Sequence, residues 1–113
     1  MPSVKEQLVS TVALHVPCVH MCWPEGGAPD LPWAIYTDEP DGKGTDNENW
    51  TVTHHWSVEL YEKYPDTALE TALFDTLRGV YGYVEPPTTT WIDSEGCACT
   101  LYRFSDIERI DNV

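Results

Sequence analysis

Trp50-Thr51-Val52-Thr53-His54-His55-Trp56-Ser57-Val58-Glu59-Leu60-Tyr61 is the stretch that decides the fold. Trp50, Val52, His54, Trp56, Val58 and Leu60 fall on one face of an extended chain; Thr51, Thr53, His55, Ser57, Glu59 and Tyr61 fall on the other. Alternation of this length, rich in β-branched and aromatic residues, predicts a long half-buried strand. Because His54 and His55 are adjacent, they take opposite faces. One is expected as a hydrogen-bonded imidazole among Val52, Trp56 and Val58, the other at the surface.

Downstream, Tyr64-Pro65-Asp66 breaks the strand, and Thr67-Ala68-Leu69-Glu70 reads as a capping box. Leu69, Ala72, Leu73, Leu77 and Val80 then form an apolar stripe, with Gly79 placed for a C′ glycine. The pattern predicts a helix over 66–78. Residues 88–93 and 97–104 read as two strands joined by a short turn at Ser94-Glu95-Gly96. The remaining residues, 105–113, are polar enough to fray, with Ile107 and Ile110 as the groups able to dock.

Upstream, Asp38-Glu39-Pro40-Asp41-Gly42-Lys43-Gly44-Thr45-Asp46-Asn47-Glu48-Asn49 reads as a flexible, solvated acidic loop or hairpin tip. Trp33-Ala34-Ile35-Tyr36-Thr37 before it is a short apolar strand, and 24–32 is a turn-rich connection. Residues 16–23 read as a strand ended by Pro24. Ser3-Val4-Lys5-Glu6 is a second capping-box pattern, followed by Val4, Leu8 and Val12 at helical spacing, so a helix is expected over 3–15 before Pro17. The predicted order is α-β-β-β-α-β-β. This is one α+β domain over residues 1–113, with a mostly antiparallel sheet of about five strands packed on two helices.

The 113 residues carry 6 Lys+Arg against 19 Asp+Glu, a formal net charge of −13. Such a surface repels phosphate, which argues against tight nucleic-acid binding. Hydrophobic residues at 42% are too many for a disordered acidic tail. No stretch approaches the roughly 20 apolar residues of a membrane span. The first residues lack the basic start and apolar run of a secretory signal, so a cytoplasmic protein with reduced thiols is expected.

Cys18-x-His20-x-Cys22 and Cys97-x-Cys99 are the candidate metal ligands, able to converge on zinc if their strands were neighbours. The spacing differs from the usual C-x₂₋₄-C knuckle, and the plainer reading is buried, inert thiols. Asp38, Asp41, Asp46 and Glu48 offer oxygen ligands but lack the order of an EF-hand loop. No G-x-S-x-G, H-E-x-x-H or glycine-rich phosphate loop occurs, so neither a catalytic residue nor a cofactor is assigned. Trp33 beside the acidic loop, and Trp23 and Trp91 near strand ends, suit protein–protein contact; the alternative is that all five Trp build the core. The partner-facing candidates are therefore Trp33, Asp38, Asp41, Asp46 and Glu48.

Taken in order, these features resemble the small tail-completion proteins of long-tailed bacteriophages and prophages, of the tail-terminator and head–tail joining type. The resemblance rests on an N-terminal helix and short strand, then Pro32-Trp33-Ala34-Ile35-Tyr36 and the Asp46-Asn47 pair. It continues through Val58-Glu59-Leu60-Tyr61, a helix introduced by Asp66 with an early Glu70, and a final hairpin from Trp91-Ile92-Asp93-Ser94-Glu95-Gly96 to Tyr102-Arg103-Phe104. It implies a structural, non-enzymatic subunit of a homo-oligomeric, often hexameric ring. Such a ring caps the tail tube, meets other tail and head-completion proteins, and lets DNA through an acidic lumen. Competing expectations are a small metal- or His-dependent enzyme and an acidic binding module.

Overall fold

A computed structural model describes residues 3–44 and 49–111. At its centre lies β3 (Asn49–Glu62), paired along its whole length with one neighbour and from Trp50 to Tyr61 with the other. On one side runs β2 (Trp33–Gly44), antiparallel, and outside it β1 (Cys18–His20), parallel. On the other side runs β5 (Cys97–Asp111), and outside that β4 (Thr88–Ile92), both ladders antiparallel. The five-stranded order β1-β2-β3-β5-β4, with helices α1 (Val4–Val12) and α2 (Thr67–Tyr81), is the expected α+β arrangement.

The even positions of β3 face inward as the alternation requires: His54, Trp56, Val58 and Leu60 are buried. They meet Ala34 and Tyr36 from β2, Tyr102 and Phe104 from β5, and Leu8, Val12, Leu73 and Leu77 from the helices. Each of these large apolar side chains contributes roughly 1.5–3 kcal/mol by leaving water. Two polar contacts fix the helices in place. Tyr102 Oη donates to the Glu70 carbonyl at 2.7 Å, and His15 Nε2 meets Thr76 Oγ1 at 2.8 Å.

Ser3 caps α1, its hydroxyl accepting from the Glu6 N–H at 3.1 Å. α1 stops at Val12, earlier than expected; one further turn of irregular bonds lets Val16 turn into the core. The cap of α2 is Asp66, not Thr67: Asp66 accepts from the Leu69 N–H at 3.2 Å, and Glu70 reaches back to the Asp66 N–H at 2.9 Å. α2 also runs through Gly79 to Tyr81, because Tyr81 packs on Phe104 with ring centroids 4.7 Å apart, and Gly82 ends the helix at φ 85°. β1 is only three residues, since Met21 takes a φ of 63° and turns the chain out of the sheet.

Two larger differences reshape the molecule. The acidic stretch expected as a loop over 38–49 is strand as far as Gly44, paired rung by rung with β3 out to Gly44↔Trp50. Residues 105–111, expected to fray, complete β5 against the first half of β3. In both cases the alternation is polar, so it carries no hydrophobic signal. The ladder is supplied by β3, whose two edges need partners. Ile107 does not dock; it is 67% exposed, and the Ile110 side chain lies outside the described residues.

Candidate interaction surface

Beyond the rungs that carry the core, β2, β3 and β5 continue as a three-stranded arm, giving the molecule principal extents of 51 × 30 × 24 Å. Its inner face holds an ionic row where a core would otherwise continue. His54 Nδ1 bonds Asp38 Oδ2 at 2.7 Å, and His54 Nε2 bonds Glu108 Oε1 at 2.9 Å. The register explains the fit. His54 lies opposite Pro40 and Asp106, so Asp38 and Glu108 are its diagonal neighbours on either side. The imidazole also stacks on Trp56 at 4.8 Å and 10°.

The side chains of His54 and Asp38 are 7% and 5% exposed, while that of Glu108 is 34% exposed. Burial alone lowers the His54 pKa, but the bonds to Glu108 and Asp38 and their charges outweigh it and hold the imidazole protonated to higher pH than usual. Both ring nitrogens are engaged by carboxylates, so His54 offers no lone pair to a metal or a substrate. It is an ionic tie between β2 and β5. His55, on the opposite face, is exposed, as expected.

On the outer face of the sheet, Trp33, Ile35, Glu59, Tyr61 and Leu101 are half-buried near the body, whereas Glu39, Asp41, His55, Arg103 and Ser105 are exposed along the arm. Trp23 packs edge-on to Trp33 at 6.0 Å, and Trp33 lies 4.8 Å from Tyr61. Tyr61 donates to Glu59 Oε2 at 2.6 Å. A cavity of about 300 Å³ opens beside this trio, lined also by Met21, Pro24 and Glu95. A larger one, about 600 Å³, lies where β5 leaves the body, between Tyr83, Glu85, Arg103, Ser105, His55 and Glu39.

The expected residues therefore part company. Trp33 sits on the outer face, half-buried in the aromatic trio, and Asp41 is exposed on the same face of the arm. Asp38 turns inward to His54 instead of facing a partner. Asp46 and Glu48 lie outside the described residues. The cysteine ligands do not converge. Cys18 and His20 belong to β1, while Cys97 and Cys99 belong to β5, with two strands between them, roughly 14 Å at the usual strand spacing. Cys18 packs inward against the core, and burial pushes its thiol up to about 12. Burial, with Glu95 nearby, also raises Cys97. Cys22 is exposed. Among the described residues no three His, Cys, Asp or Glu side chains form a metal-holding group.

Sequence reasoning missed Glu108 as a partner of His54, and Ser105 and Tyr83 beside the larger cavity. For Glu108 the available signal was parity: Tyr102, Phe104, Asp106 and Glu108 continue one face of a strand. No protein-family model matches the chain, and no curated protein matches it. No helix among the described residues is long and apolar enough to cross a membrane.

Proposed function

We propose that this chain is a structural subunit of a phage or prophage tail, of the tail-terminator type, assembling in the host cytoplasm into a hexameric ring that caps the tail tube and joins it to the head. The observation that carries the reading is the shape of the sheet. It is five strands wide where the helices pack and three strands wide in the arm, with one face left without helices and exposed along the arm. The single deeply buried histidine is spent on an ionic tie, which favours a building block over a catalyst. The net charge of −13 suits a ring whose lumen lets DNA pass without holding it.

Electron microscopy of the purified protein, alone and mixed with tail tubes, tests this. Rings, or tubes capped at fixed length, are expected. A protein that stays monomeric at all concentrations and leaves tube ends unchanged refutes it. Binding to completed heads without any effect on tubes transfers the role to head–tail joining.

A further inference from the structure

The arm leaves two strand edges open. β1 covers β2 only over Ala34–Tyr36, and among the described residues nothing pairs with the outer edge of β2 from Thr37 to Gly44. On the far side, β4 covers β5 over Cys97–Leu101 and a bridge from Val84 reaches Phe104; beyond that, nothing described pairs with β5 from Ser105 to Asp111. An open row of N–H and C=O groups is a template for another strand.

Hydrogen-bond parity shows what each edge presents. Ala34 N–H bonds the Pro17 carbonyl, and the Tyr36 carbonyl accepts from Met21 N–H, so even residues of β2 point their backbone groups outward. Pro40 is therefore on the open edge: its missing N–H costs no ladder bond to β3 but withholds one donor from a strand added there, leaving the outward groups of Asp38 and Gly42 and the Pro40 carbonyl to pair. On β5 the Arg103 carbonyl accepts from Glu85 N–H at 2.9 Å, so odd residues point outward there: Ser105, Ile107, Arg109 and Asp111. This edge contains no proline. It begins at the 600 Å³ cavity and is flanked by Tyr83 and Ile107, 76% and 67% exposed.

We infer that the open edge of β5 receives the open edge of β2 from a second copy of this chain. The inference rests on the ring-forming reading above. Three observations select this occupant. A twofold contact of β5 with itself sets the inward row of Asp106 and Glu108 against the same acids of its partner, and like charges directly opposite destabilise a strand pair. A β2 edge instead brings Pro40 and Gly42 beside Asp106 and Glu108. In that register Glu39, exposed on the outer face, falls one rung from Arg103, pairing an acid with a base.

Direction is also fixed. β2 and β5 both run antiparallel to β3, so a neighbour added in the same sense pairs in parallel. The contact is heterologous, joining two different edges, and such contacts close into rings when the rotation permits. The taper supplies rotation: bodies of roughly 24 Å sit outside arms of roughly 14 Å at the usual strand spacing, so β1 and β4 splay the bodies while the arms converge.

The test uses the full chain at about 0.5 M salt, where the acidic surfaces are screened to a few ångströms. Ile107→Pro and Ser105→Pro each remove an outward N–H and leave the bonds to β3 intact. Both are expected to keep the wild-type near-UV circular dichroism and lose the assembly seen by sedimentation velocity. In a Cys22→Ser background, a mixture of Glu39→Cys and Ser105→Cys chains is expected to form a disulfide-linked dimer that neither forms alone. Rings that persist in both proline variants, with no mixed disulfide, overturn the edge pairing while the ring reading stands. Disulfide dimers from Ser105→Cys alone, equal in yield to the mixture, overturn it in favour of a twofold. Wild-type protein that is monomeric throughout overturns both readings.

Discussion

Replacing His54 with alanine removes the middle of a three-part ionic row and leaves Asp38, 5% exposed at its side chain, without its partner. Breaking a buried pair by deleting one member costs roughly 3–5 kcal/mol, because the remaining charge stays out of water. Glu108 is a third exposed, so its share is screened, which places the expected loss near the lower end, about 3 kcal/mol. For a domain of this size that is a fall in Tm of roughly 12–15 °C. The pH dependence follows from the raised imidazole pKa. The folded state binds this proton more tightly than the unfolded chain does. The contribution is therefore complete below the unfolded value, about 6.5, and is lost as pH rises through the folded value. Urea titrations of both proteins at pH 6 and pH 9, followed by circular dichroism, measure the difference; groups common to both proteins cancel. The gap should be largest at pH 6 and narrow toward pH 9. A variant within 1 kcal/mol of wild type at pH 6, or a gap that widens with pH, refutes the ionic tie.

Glu62 is 2% exposed, and burial, with Glu70 close by, pushes its carboxyl up to about 8 while the Asp66 N–H at 3.1 Å pulls the other way. Its protonated form is favoured by folding, so stability is lost as pH rises from about 4.5 toward 8. Glu62→Gln should raise stability by about 1–2 kcal/mol at pH 8 and change little at pH 4, read from thermal melts at the two pH values. Two glycines three residues apart should respond oppositely. Gly79→Ala, inside α2 with open space around its Cβ, should stabilise by about 0.5–1 kcal/mol. Gly82→Ala, at φ 85°, should destabilise by about 1–2 kcal/mol in the same urea assay. Tyr102→Phe deletes only the hydroxyl bonded to the Glu70 carbonyl and should cost about 1 kcal/mol; an unchanged midpoint would mean that bond contributes nothing net.

The body of the fold was legible because its residues carry periodicity. The alternation from His54 to Leu60 and the stripe from Leu69 to Leu77 each point one way, and the core packs them as read, whereas Val80, the last residue of the expected stripe, is 46% exposed. The arm was illegible for a physical reason. Asp38, Pro40 and Gly42 on β2, and Asp106 and Glu108 on β5, are strand positions whose inward side chains are polar, small or charged. No transfer energy marks them; their ladder is set by β3 alone. The histidine was expected as a hydrogen-bonded imidazole, but its partners lie sixteen residues before it and fifty-four after it, and no local pattern names them. Trp33 was identifiable as a boundary aromatic, whereas the edge chemistry at Ser105 and Ile107 appears only once neighbouring strands are known.

The order in which β3 acquires its neighbours has a kinetic side. Its pairing with β2 closes through a short connection, so that hairpin can form early and locally. Its pairing with β5 joins residues as distant as Asn49 and Asp111, with α2 and β4 in the intervening chain. Closing so long a loop is the slow part of folding a sheet. The open edge of β5 from Ser105 onward, on which the proposed pairing depends, thus exists only once that long loop has closed. A chain that has not closed it has no such edge to offer, so under the proposed pairing immature subunits would be kept out of an assembly.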